Sequence, residues 1–152
     1  MFRSLGVIAA LVTAAAASSM TVPAAARETG QTHIGNLNAN PHALGSTSDP
    51  ARRFDADSVT NRHGRYGSAA SADSATNPYA TNAPKLYERD GTYRGKLSAN
   101  PYDAESVSNP HGRYGSRYSP DSINNPYGAG NPYRAESPHN KHGQGLGIFG
   151  AK

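Results

Sequence analysis

Six histidines and several closely spaced carboxylates are the side chains of this chain best suited to chemistry. His139 and His142 form an H-x-x-H pair, His63 and His111 open two identical HGRYG strings, and His33 and His42 lie upstream. Zinc and copper sites need three or four converging ligands, commonly neutral imidazoles. His63, His111, His139 and His142 are therefore the metal candidates, but no cysteine joins them and their spacing does not make them converge. They read as solvated loop histidines, and no metal is expected. Asp55, Asp57 and Asn61, or Asp103, Glu105 and Asn109, offer oxygens for calcium, yet they depart from the EF-hand spacing and lack its bidentate Glu. As a hydrolytic pair, the same carboxylates would need a fixed separation and one acid held protonated by apolar burial. The chain has no G-x-S-x-G, P-loop or H-E-x-x-H string. No catalytic residue, no enzymatic activity and no cofactor are expected.

A second chemistry-bearing pattern interleaves arginine with tyrosine: Arg65 and Tyr66, Arg113 and Tyr114, Arg117 and Tyr118. Planar guanidinium groups and rigid aromatic bodies are common interface anchors, so these six are the candidate binding residues. GRYGSRY at 112–118 has the composition of single-strand nucleic-acid binders. One such stretch is a thin basis, and nucleic acid is not the expected partner.

The segments that carry these residues are unusual. Met1, Phe2 and Arg3 precede an apolar run from Leu5 to Ala17, followed by Val22, Pro23 and Ala24–Ala26. This is the charged, apolar and small-residue order of a secretory signal, with Pro23 ending its helix and cleavage after Ala26 or, as a second choice, Ala17. The run is too short for a transmembrane helix, which takes roughly 20 residues. Cysteine is absent, so neither disulfides nor a lipid on a terminal cysteine is available. A periplasmic or secreted location is expected, with no membrane span after cleavage.

After residue 26 the charge is mildly basic and well mixed, suited to weak attraction toward anionic partners. Only 12 Leu, Ile, Val and Phe residues remain in that part of the chain, well below the roughly 20% under which composition signals disorder. Fixing each residue costs about 1–2 kcal/mol, and a fully buried Leu or Val returns about 1.5–3 kcal/mol. On that comparison a conventional core is not expected. Asn-Pro recurs at 40, 77, 100, 109, 125 and 131, and each instance disfavours helix and favours a turn.

The strongest organisation is internal repetition. Residues 55–79 match 103–127 with 17 of 25 identities, and GNLNANPH at 35–42 matches GKLSANPY at 95–102. The boundaries follow: signal 1–26, linker 27–33, repeat unit 34–79 with an insertion at 43–54, connector and first hairpin strand 80–92, repeat unit 93–127, and a Gly/Pro-rich tail 128–152. Asx and Ser side chains are expected to cap their own backbone in successive turns, with the HGRYG glycines at positive φ and each tyrosine laid on a neighbouring turn. KLYERDGTYRGKL at 85–97 reads as a hairpin about Asp90-Gly91, both at positive φ. A lone hairpin is marginal, so it needs the flanking turns, the segment 31–37 or GLGIFG at 145–150 for support.

The string at about 84–138, with a weaker first copy from 34, resembles a motif of uncharacterised bacterial exported proteins, in which NPYDxxSxSNPYGRYGS and YSPDSINNPYGAGNPY follow an LYxxxGxYxGxL hairpin. The present chain differs by His63 and His111 in place of tyrosine, and by Ala69-Ala70 where the second copy has Arg117-Tyr118. The resemblance implies export and no active site. The expected product is a mostly irregular, turn-rich repeat with little β structure, helical only in the signal and partly disordered. It would act as a structural or binding element of the envelope or secretome, with an envelope protein or an anionic glycan as partner. The alternative is a small periplasmic metal-binding protein using the repeat histidines and carboxylates.

Overall fold

The computed structural model describes Pro23 and residues 30–152. The signal read over 1–26, with its helix and cleavage positions, lies outside the described residues apart from Pro23. Among the described residues there is no α-helix; a 3-10 turn spans Pro50–Phe54, and four strands form one antiparallel sheet.

The hairpin is present as β2 (Lys85–Tyr87) and β3 (Tyr93–Lys96), with Tyr87 opposite Tyr93. Its turn differs from the expected form, since Gly91 has positive φ and Asp90 does not. Gly91 N–H donates to Glu88 O at 3.0 Å and Glu88 N–H to Thr92 O at 2.9 Å. That is a three-residue loop closed by a left-handed glycine, the next commonest hairpin connection after the two-residue turns. Of the three anticipated supports, both strand segments are used. β1 (Gln31–Leu37) and β4 (Leu146–Ala151) complete a sheet of order β1-β4-β2-β3. β4 therefore lies between β1 and β2, pairing Leu86 with Ile148 and Leu37 with Leu146.

Strand alternation sends the side chains of this sheet to two faces. Leu86, Leu146 and Ile148 join Ile34, Tyr66, Val107 and Ile123 in one buried cluster, while Tyr87 and Phe149 form a second. The expectation of no core is thus corrected: the few large apolar residues are concentrated on the sheet and on the turns that cover it. Apolar counting also overlooked the polar groups that are buried with them. Ser46, Ser58, Ser74, Ser106, Ser122 and Ser137 are all fully buried, and each hydroxyl accepts the backbone N–H two residues on, at 3.0–3.2 Å. Each such bond contributes about 0.5–1.5 kcal/mol net and lets backbone enter the interior without orphaned donors.

These serines belong to a staircase of turns with a three-residue step. From Asn40 to Gly67 and again from Ser119 to Gly143, N–H groups donate to the carbonyl three residues back, at every third residue. The unit is Ser-x-x-Asn-x-ring, seen at 58–63, 74–79, 106–111, 122–127 and 137–142. Its asparagine amide donates to the carbonyl six residues earlier, at 2.9–3.0 Å in all five copies, and closes two turns into a ring. Residues 43–54 take part as well. Asn36 bridges Ser46 in parallel as Lys96 bridges Ser106, so an offset of 60 residues runs through this segment. Gly35 and Gly95 sit at that bridge with φ 153° and 96°, where a Cβ would meet Gly45 O or Glu105 O.

The HGRYG glycines are needed for a different reason from the one expected. Gly64, Gly67, Gly112 and Gly115 are not among the positive-φ residues. A Cβ on Gly64 or Gly112 would stand 2.7 or 2.9 Å from the carbonyl eight residues back, so the stacked turns approach too closely for any side chain.

Candidate functional site

The structure separates the tyrosines into two populations. Tyr66 and Tyr114, from the HGRYG strings, turn inward. Tyr66 is 3% exposed, its hydroxyl donates to Ala151 O, and its ring lies where Gly150 has no side chain. Tyr114 packs on Gly95 and meets the Tyr93 ring at 5.3 Å. Burial pushes the Tyr66 hydroxyl above its ordinary range, which keeps it a neutral donor. Tyr79, Tyr102, Tyr118, Tyr127 and Tyr133 are instead 88–93% exposed. The expectation that each tyrosine lies on a neighbouring turn is corrected for these five.

Four of the exposed tyrosines share one local geometry with four histidines. In every Asn-x-ring step the asparagine Oδ1 accepts the backbone N–H of the ring residue, at 2.9–3.0 Å. The residues so held are His42, His63, Tyr79, Tyr102, His111, Tyr127, Tyr133 and His142. All eight are exposed. The Asx turn fixes the Cα–Cβ direction, and the proline that precedes the ring in most copies removes a further backbone freedom. The outcome is a set of imidazole and phenol rings presented to solvent on stiff bases.

Among the metal candidates, His63, His111 and His142 occupy separate units as exposed rings, and His139 Nε2 lies 2.9 Å from Ile123 O. The structure does not gather them. Among the described residues, the group of three with ligand atoms within 4.8 Å of one another is Glu88, Asp90 and Glu136, which contains no histidine. The calcium candidates are engaged internally. Lys96 Nζ lies 3.3 Å from Asp103 and 2.9 Å from Glu105, and Arg52 lies 3.5 Å from Asp55. The Asn61 and Asn109 side chains are held by backbone.

The basic candidates divide in the same way. Arg65 pairs with Asp73 at 2.6 Å and Arg113 with Asp121 at 2.6 Å, each guanidinium near the ring of the next tyrosine. Arg117 and Tyr118 stand exposed, with the Tyr118 N–H on Ser116 Oγ. In the second copy the pairing continues inward. Arg94 joins Asp121 at 2.8 Å to the buried Glu88 at 2.7 Å, and Arg134 reaches Glu88 at 3.2 Å. The hydrogen bond from Arg113, aided by Arg94, holds the Asp121 carboxyl below its ordinary range. Burial, and then a hydrogen bond to Glu88, raises Glu136 above its own.

The interchange of histidine and tyrosine after Asn-Pro is visible in the sequence; the exposure of the ring is not, and its fuller signal is the string Ser-x-x-Asn-x-[His/Tyr]. Comparison with protein-family models, curated proteins and solved structures found no match to this chain.

Proposed function

We propose that this chain is an exported, non-enzymatic binding element of the cell envelope or secretome, in which stacked Asx and Ser turns form a stiff scaffold and the Asn-x-ring residues make the contacts. The observation that carries this reading is the exposure of Tyr79, Tyr102, Tyr127 and Tyr133, each 88% or more, on backbone held by a 2.9 Å Asx bond. Large rings left in water on pre-fixed bases lose little conformational freedom on binding, which favours recognition. Carboxylates tied to Lys96, Arg94 and Arg113 serve cohesion, consistent with a non-catalytic role.

Two measurements test the reading. The full-length chain, expressed in a bacterial host and fractionated, should appear outside the cytosol with its N-terminus at Arg27; a cytosolic product retaining Met1 would refute export. The exported protein should then co-sediment with isolated cell-wall material. Joint replacement of Tyr79, Tyr102, Tyr127 and Tyr133 by alanine should abolish that retention while the fold survives.

A further inference from the structure

One ring position is built twice, with a difference in charge. The first groove, about 470 Å³, is lined by Arg53, Phe54, Thr60, Asn61, Arg62 and His63. The second, about 440 Å³, is lined by Pro101, Tyr102, Asn109, Pro110 and His111. Adding the repeat offset of 48 to the first set yields the second, Thr60 excepted: Phe54 answers to Tyr102, Asn61 to Asn109 and His63 to His111. The walls are held alike. Asn61 and Asn109 each donate to a carbonyl six residues back and accept the N–H of the histidine two residues on. The aromatic floor is open in both, with Phe54 81% and Tyr102 90% exposed.

The difference in charge is confined to two positions. Where the second groove has Pro101 and Pro110, the first has Arg53 and Arg62. Arg53 is directed by a 3.0 Å bond from its Nε to Pro50 O and lies 5.7 Å from the Phe54 ring centre. Among the described residues neither Arg53 nor Arg62 has a carboxylate partner, whereas neighbouring Arg52 takes Asp55. The first groove thus holds two uncompensated guanidinium groups beside an exposed ring.

Resting on the binding role proposed above, we propose that the Arg53–His63 groove is a subsite for an acidic sugar residue of a polysaccharide. The sugar's C–H face would lie on Phe54, and its carboxylate on Arg53 and Arg62. The electron-rich face of an aromatic ring attracts the polarised C–H groups of a pyranose, and guanidinium groups match a carboxylate with charge-assisted hydrogen bonds. The twin groove keeps the ring and drops the charge. That combination suits a polymer whose units share a ring shape and differ in charge. Nucleic acid carries a phosphate on every unit and calls for basic residues at each subsite, which the Pro101/Pro110 groove lacks.

The test uses the full-length chain, titrated at low salt with polygalacturonate, its fully methyl-esterified form and oligothymidylate. The acid form should bind at least about tenfold more tightly than the ester. The double variant R53A/R62A should erase this preference and leave ester binding in place, and Phe54→Ala should weaken both. P101R/P110R, which installs in the second groove the side chains already tolerated in the first, should tighten acid binding. An acid preference unchanged in R53A/R62A, or no binding of either glycan, overturns the subsite. So does oligothymidylate binding that exceeds polygalacturonate and depends on Arg53. Retention of the variant on cell-wall material would show that the broader binding role survives the loss of this subsite.

Discussion

The two copies of the HGRYG segment share one turn staircase and anchor it to the sheet differently. In the first, buried Tyr66 reaches over Gly150 to β4, and the exposed Arg65 binds Asp73 and the Lys152 carbonyl. In the second, Arg113 and Asp121 continue through Arg94 to buried Glu88, tying turns to the β2–β3 hairpin by charge. Backbone geometry is therefore conserved between copies by Ser and Asn, while the docking of each copy is assigned to longer side chains. Identical local strings do not imply identical energetic roles.

The largest expected effect is at Arg94. Its removal leaves Glu88, 4% exposed, with Arg134 as its remaining basic partner among the described residues, and breaking a buried pair costs about 3–5 kcal/mol. Arg65→Ala should cost far less, because solvent around its half-exposed guanidinium screens the pair with Asp73. Denaturant titration of both variants measures the contrast, and equal losses would collapse the distinction between the copies. Next come the buried serines, which test what the copies share. Ser74→Ala and Ser122→Ala each orphan a backbone N–H, and should lose about 1–3 kcal/mol by similar amounts.

Protonation sharpens the comparison further. Asp121 is depressed in the fold, so its stabilisation is present above the unfolded pKa and is lost as pH falls through the lower folded value. Asp121→Asn should flatten the acid limb of the stability curve. Glu136 is raised, so folding favours its protonated form and stability falls as pH rises through the interval between unfolded and folded values. Glu136→Gln should raise the unfolding midpoint at pH 7 and leave it unchanged well below the unfolded pKa. The smallest effect belongs to the exposed rings: Tyr127→Ala and Tyr133→Ala should stay within about 0.5 kcal/mol of the parent, and a larger loss would mean that these rings support the fold.

Much of this architecture was legible beforehand. The Asp-Gly turn located the hairpin, and β-prone segments at 31–37 and 145–150 were the correct supports, because strand pattern and turn chemistry are local signals. The core was not legible. Counting Leu, Ile, Val and Phe ignores serines such as Ser106 and Ser122, which enter the interior by capping their own backbone. Nor could spacing show that Tyr66 points inward and Tyr79 outward, since one follows Arg and the other Pro in turns of similar composition. The need for Gly64 and Gly112 was visible, but its cause, a carbonyl eight residues away in the adjoining turn, exists only once the turns are stacked.

The strand order carries a kinetic consequence. β4 is the last of the four strands in the chain, yet it lies inside the sheet, between β1 and β2. Gln31 must wait for Ala151 to be synthesised before it meets its partner. Contacts so distant along the chain close slowly, so a nascent polypeptide ending short of residue 146 has its hairpin but no sheet to dock it. Maturation is then all-or-none with respect to one six-residue segment. A protease that removes that segment from the finished protein would undo both halves at once.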